Sequence, residues 1–252
     1  MNNMMKMVLL GTAVMFAGAM VGFFTIKSQA STCFDEAELT FDLIEEEVTA
    51  EDDELLQDPA FIWGFLANAV DETGGRLGAV EWQFSWEKSY GFELPSGGTS
   101  LKTKEDIEYL KNWTTSDAGT LDGLPRKGSA GVGAVQWSFE RRVTYCEILE
   151  GIISDEENIT EEELRQADAQ MFLYELRTNE SFLKNIKSYL PANPTVSDYA
   201  AAICWCYVGN GGDEMITRRR TNASCFMTYW EEARKEEIVS KLSRKGDKGA
   251  TL

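Results

Sequence analysis

GVGAVQWSFERR, residues 131–142, passes from glycine-softened backbone through an alternating apolar stretch to charge. Gln136 is the anomaly. An amide with two donors and an acceptor, set between Val135 and Trp137, needs polar partners wherever it is buried. In an apolar cleft wall it would orient a sugar hydroxyl or acetamido group. Trp137 would then offer a flat face to a pyranose ring, and Gly131 and Gly133 would let the backbone approach the ligand. In a buried edge strand the same glutamine would satisfy neighbouring backbone instead. The residues alone support either reading.

The rest of the chain narrows the chemistry. Its 252 residues, 43% hydrophobic, suit one domain with appendages. The absence of histidine removes Ser-His-Asp and Cys-His sites, His-ligated zinc and imidazole acid/base work. Carboxylates remain as the main proton-transfer groups. A formal charge of −18 excludes the basic footprint that nucleic acid requires, and Arg218-Arg219-Arg220 is too short to supply it. No metal or cofactor is expected, since Cys204-Trp205-Cys206 has no second cysteine cluster beside it. Five cysteines leave at least one unpaired in a monomer. Cys204, Cys206 and Cys225 are the candidates for a pair, or for small buried apolar side chains.

Between Lys6 and Lys27 lies the uncharged run MVLLGTAVMFAGAMVGFFTI, which as a helix would span about 30 Å of hydrocarbon. Residues 1–30 therefore read as a signal peptide cut after Ser28-Gln29-Ala30 or as an uncleaved membrane anchor, with the acidic body exported in either case. Residues 33–58 carry twelve Asp or Glu and no Lys or Arg, the composition of a self-repelling disordered stalk over residues 31–58. A folded domain is expected over 59–236, followed by a basic flexible tail over 237–252.

Asp58-Pro59 is an N-cap with proline at the first helical position, and Ile62, Phe65, Leu66, Ala69 and Val70 follow on one face as far as Thr73-Gly74-Gly75. Leu77, Val80, Phe84 and Glu87 then succeed one another at helical spacing, so a carboxylate extends an apolar stripe beside Trp86. Burial would keep such an acid protonated near neutrality and able to donate to a glycosidic oxygen. Glu87 could equally end a surface face. Residues 93–130 read as loops or a small β-hairpin region around a short helix near 104–112. Helical periodicity resumes through Val143, Cys146 and Leu149. A capping box, Thr160-Glu161-Glu162-Glu163, precedes another helix, and two more are expected near 197–208 and 213–236.

The opening stretch resembles the Gly-x-Gly-(Leu/Ile)-x-Gln-Trp-Thr-x-x-Arg-Arg segment of phage tail-tip lysozyme domains, with Gly131, Gly133, Gln136, Trp137, Arg141 and Arg142 matching and Ala134 and Ser138 departing. Residues 61–66 are similar to that family's first helix, and Arg219, Ala223 and Phe226 to its closing helix. The resemblance implies a mainly helical, lysozyme-like α+β fold with a small β or loop region, and a substrate of peptidoglycan glycan strands. It implies a glutamate general acid from a helix ending in a Glu-Ser-Gly-Phe type sequence. Residues 87–92, Glu87-Lys88-Ser89-Tyr90-Gly91-Phe92, fit that sequence with two residues inserted. An ungapped count from Ile62 lands on Trp86, and Glu81 is the other acid of the same segment. Gln136, Trp137, Gly133 and Trp86 would line the cleft. Asp117 and Asp122 are candidates for the second carboxylate that hydrolysis needs, whereas a lytic transglycosylase works with one acid. Gly209-Asn210-Gly211-Gly212 departs from the acidic, basic, proline order of the family. The same fold could also serve as an inactive wall-binding or assembly module of a conjugation, secretion or phage-related apparatus.

Export has a direct check. A reporter active only in the cytoplasm, fused after residue 60, is expected to stay silent, and a strong signal would refute an exported body.

Overall fold

The computed structural model describes residues 34–75, 77–80, 94–98, 100–112, 120–121, 124–125, 131–209 and 212–247. They are mainly helical, with α1 over residues 34–47, α2 at Pro59–Thr73, α3 at Lys104–Asn112, α4 at Glu140–Ile152, α5 at Glu161–Thr178, α6 at Glu180–Tyr189, α7 at Val196–Ile203 and α8 at Asp213–Asp247. A π-helical segment, Cys204–Val208, follows α7 directly. Strands β1 (Thr120–Leu121) and β2 (Leu124–Pro125) form an antiparallel hairpin in register Thr120↔Pro125.

The centre of the bundle is α2. Asp58 caps it by accepting from the Ala60 N–H at 2.9 Å, with Pro59 in the first turn, and Gly74 ends it in the left-handed conformation at φ 63°. Every residue from Phe61 to Ala69 is buried, as a helix must be when neighbours cover it all round. Phe65 stacks on Phe172 of α5 at 3.8 Å, Phe61 meets Tyr199 of α7 edge-on at 5.6 Å, and Trp63 lies 5.9 Å from Phe226 of α8. Gly64 lets α7 cross at backbone distance, because a Cβ there would stand 2.9 Å from the Ala200 nitrogen. Asn68 secures the crossing by donating to the carbonyls of Gly64 and Ala200 at 2.8 and 3.0 Å.

Both ends of α2, the short helix α3, the capping box of α5 and the small hairpin follow the sequence reading. The acidic stalk does not. Within the part of it that is described, residues 34–58, α1 buries Ala37, Phe41 and Ile44, and the Phe41 ring stacks on Trp63 at 4.7 Å. The counter-charges missing from the acidic stretch come from far along the chain: Arg177 to Asp52 at 2.7 Å, Lys187 to Asp53 at 2.7 Å and Arg234 to Glu45 at 2.7 Å. The Arg177 guanidinium holds the Asp52 carboxyl down at about 2. The last helix continues to Asp247, past the boundary expected at 236. The chain also breaks at Asn179 into an additional helix, α6, because the Asn179 side chain caps the Ser181 N–H at 3.2 Å.

A helix continuous through Leu77 and Val80 is not formed. Gly78 has φ +58°, and Ala79 and Val80 pair as extended chain with Ser100 and Val132. Residues 81–93, which carry Glu81, Trp86 and Glu87, lie outside the described residues, as do Asp117, Asp122 and the apolar run 7–26. Among the described residues no helix is long and apolar enough to cross a membrane.

The packing of α1 predicts that Phe41→Ala, which empties a fully buried aromatic site, costs about 3–5 kcal/mol in urea denaturation. A change below about 0.5 kcal/mol, the level of a neutral surface substitution, would return this segment to a detached stalk.

Candidate functional site

Residues 132–137 fold back on themselves. Val132 and Trp137 exchange backbone hydrogen bonds at 3.1 and 2.9 Å, and the turn is closed by the Gln136 N–H donating to Gly133 at 3.1 Å. The neighbouring chain is the stretch that follows α2: the Gly133 N–H donates to the Ala79 carbonyl at 3.1 Å. Gln136 reinforces this join, its Nε2 donating to the carbonyls of Ala79 and Gly133 at 3.1 and 3.0 Å. The amide expected on a sugar hydroxyl is thus engaged with backbone, the second of its two sequence readings. Gly133 has φ +75°, and a Cβ there would meet the Trp137 ring at 2.6 Å and Asp168 Oδ1 at 2.8 Å. It makes room for the protein's own groups.

Trp137 corrects the cleft-lining expectation most clearly. It is 0% exposed, stacks on Tyr145 at 5.3 Å, and donates its Nε1–H to Glu175 Oε2 at 2.9 Å and to the Tyr207 hydroxyl oxygen at 3.1 Å. A ring so enclosed has no face for a pyranose. Glu175 is buried too and accepts further from the Tyr207 hydroxyl and from Arg141, at 2.5 Å from Nε and 2.7 Å from Nη2. The Arg141 guanidinium also lies 4.7 Å over the Tyr207 ring. The Gln-Trp and Arg141 parts of the opening stretch therefore meet on one carboxylate, with Asp168 beneath the turn accepting the Ala134 N–H at 3.1 Å. Burial raises the Asp168 carboxyl to about 7, against the opposing pull of that N–H.

A second polar cluster forms where α2 ends. Arg219 of α8 is fully buried, reaching Asp71 at 3.1 Å, Asn68 at 2.8 Å, the Cys204 sulfur at 3.1 Å and the Glu72 carboxylate. Arg218 adds a forked contact to Asp71 at 2.8 and 3.2 Å. The Glu72 side chain keeps 18% of its surface exposed, so it is the part-open acid of a buried cluster. Sequence reasoning passed over it. The signal was present in Glu72-Thr73-Gly74, an acid, a small hydroxyl residue and glycine in succession at a helix end, with no insertion needed. Cys146, Cys204, Cys206 and Cys225 are free thiols, so of the two readings offered for the last three the disulfide pair is not formed, while Cys204 is a buried unpaired side chain. Burial pushes the Cys146 thiol to about 12. Among the described residues no group of acids and cysteines is placed to hold a metal.

The family described as phage tail lysozyme matches residues 58–230, the span from the N-cap of α2 into α8. No curated protein and no solved structure matches the chain.

The raised Asp168 carboxyl yields a signed expectation. Below about pH 4 the group is protonated in both folded and unfolded chains. As pH rises towards about 7, the unfolded chain releases the proton while the folded one keeps it, so this group subtracts stability progressively. Asp168→Asn keeps an acceptor for Ala134 and cannot ionise. Its melting temperature relative to wild type should climb between pH 4 and pH 8; a constant difference would refute the assignment.

Proposed function

The chain belongs to the phage tail lysozyme family, and from that membership we propose that it cleaves the glycan strand of peptidoglycan with Glu72 as general acid. The observation that carries the residue choice is the end of α2, where Glu72-Thr73-Gly74-Gly75 is similar to the Glu-Ser-Gly-Phe helix ending implied by the family resemblance, with threonine in place of serine and glycine in place of phenylalanine. Gly74 then turns the chain towards Ala79 and Val80, which pair with the 132–137 turn. Glu87 and Glu81 remain the competing acids.

A glutamate paired to arginine must be able to carry a proton without abandoning a buried cation. Arg219 has that provision, because Asp71 shares its guanidinium with Glu72. When Glu72 is protonated, Arg219 still faces a carboxylate. Glu72 can then donate to the glycosidic oxygen as the bond to the anomeric carbon breaks and take back a proton from the attacking hydroxyl, of water or of the sugar itself. Asn68 and the Cys204 sulfur hold Arg219 in place. Gln136, bonded to Ala79, acts as a positioning residue for the wall of the cleft.

The reading includes export through residues 1–30 and work outside the cytoplasm, tethered or released. Peptidoglycan is the partner, and Asp117 or Asp122 would supply the second carboxylate if water is the nucleophile.

Three conservative variants decide the acid. Glu72→Gln should lower the release of fragments from purified peptidoglycan by at least about 10²-fold, with the fold retained by circular dichroism, while Glu81→Gln and Glu87→Gln change it less than about threefold. Loss of activity in Glu87→Gln or Glu81→Gln with Glu72→Gln active would move the acid downstream. Absence of fragments from the wild type would favour an inactive wall-binding module.

A further inference from the structure

Phe139 breaks three local preferences at one position. Its backbone sits at φ 56°, ψ −128°, a region that glycine enters freely and a bulky side chain does not. It is the N-cap of α4, yet its side chain accepts no hydrogen bond from the helix, where Ser, Thr, Asp, Asn or Gly would be preferred. The residue is 58% exposed, so burial does not compensate for either departure. Glycine would satisfy all three conditions. An aromatic side chain kept under such constraint is the pattern expected of a ligand contact rather than of packing.

The ring stands on a rigid base. Two residues before it, Trp137 is locked into the core, and two residues after it, Arg141 is forked onto Glu175. Among the described residues, Gln136 and Phe139 are the non-glycine positions with positive φ, the first inside the 132–137 turn that pairs with the chain leaving α2 and the second three residues on, at the start of α4. Other exposed large apolar side chains, such as Tyr174 and Tyr189, lie on regular helix with no such strain.

We propose that Phe139 is a sugar-binding platform that takes the C–H face of a pyranose of the glycan strand, an assignment that rests on the hydrolase reading above. The negative π face of the ring suits the polarised C–H bonds of a sugar. Its chain neighbours, Ser138 and the exposed Glu140, offer an acceptor rim for hydroxyl and amide hydrogens. That combination fits a ligand with one apolar and one hydroxylated side, and Glu140 would oppose entry into a lipid surface. The aromatic contact with the glycan thus passes from the buried Trp137 to the residue two places on.

The experiment compares the full-length wild type with Phe139→Gly and Phe139→Trp. It measures melting temperature, affinity for a soluble N-acetylglucosamine–N-acetylmuramic acid tetrasaccharide by calorimetry at low temperature, and kcat and KM on solubilised peptidoglycan. Phe139→Gly should melt at or above the wild-type temperature while its affinity falls about tenfold, with KM rising and kcat nearly constant. Phe139→Trp should retain wild-type affinity. If wild type binds and cleaves and Phe139→Gly does both equally well, the platform is refuted and the hydrolase reading stands. A melting temperature lowered by several degrees in Phe139→Gly would make the residue a packing element and overturn the proposal. A wild type that neither binds nor cleaves glycan overturns both.

Discussion

One buried carboxylate organises the segment that identifies this chain. Glu175 on α5 accepts from Trp137, Tyr207 and both arms of Arg141, so elements more than thirty residues apart in sequence converge on two oxygens. A charge taken out of water is costly unless its lone pairs are filled, and removing one partner of such a set typically costs about 3–5 kcal/mol. Here the set is full. The requirement fixes the 132–137 turn against α5, and the turn pairs with the extended chain at Ala79 and Val80 that follows α2.

The π-helical segment couples this network to the second one. Its wider turn, closed by the Gly209 N–H on the Cys204 carbonyl at 3.1 Å, leaves Cys204 and Tyr207 both buried while Trp205 is exposed. Cys204 touches Arg219, which holds Glu72, and Tyr207 touches Glu175, which holds Trp137. A single turn of helix thus spaces Glu72 relative to the 132–137 turn that leads into Phe139. Regular α-helix through these residues would have changed the angle between the two inward side chains.

Local chemistry was legible in the sequence and distant pairing was not. Asp58-Pro59 and Gly74 announced the ends of α2 because caps depend on a few adjacent residues. The charges of residues 33–58 concealed α1, whose apolar spacing at Ala37, Phe41 and Ile44 is helical, because the cations that pair with this acidic stretch, Arg177, Lys187 and Arg234, lie more than a hundred residues away. Trp137 was ambiguous for a similar reason. An alternating apolar run reads alike on a cleft wall and in a core, and only Glu175, 38 positions on, decides between them. Glu72 was overlooked in favour of an apolar stripe ending in Glu87, of which Val80 proves to be extended. Phe139 has no sequence signature, since a strained φ depends on what holds the flanking residues.

The reach of the Arg219 contact also has a temporal meaning. Glu72 and its guanidinium partner are separated by 147 positions, and the contact can form only after nearly the whole domain has been synthesised. Non-local closures of this kind are slow because the intervening loop must lose its freedom first. On a chain emerging from a ribosome, α2 would stand ready early while the cluster around Glu72 waited for α8. A partly made or truncated chain would consequently carry Glu72 without its clamp, and the cluster would be complete only once Arg219 had appeared.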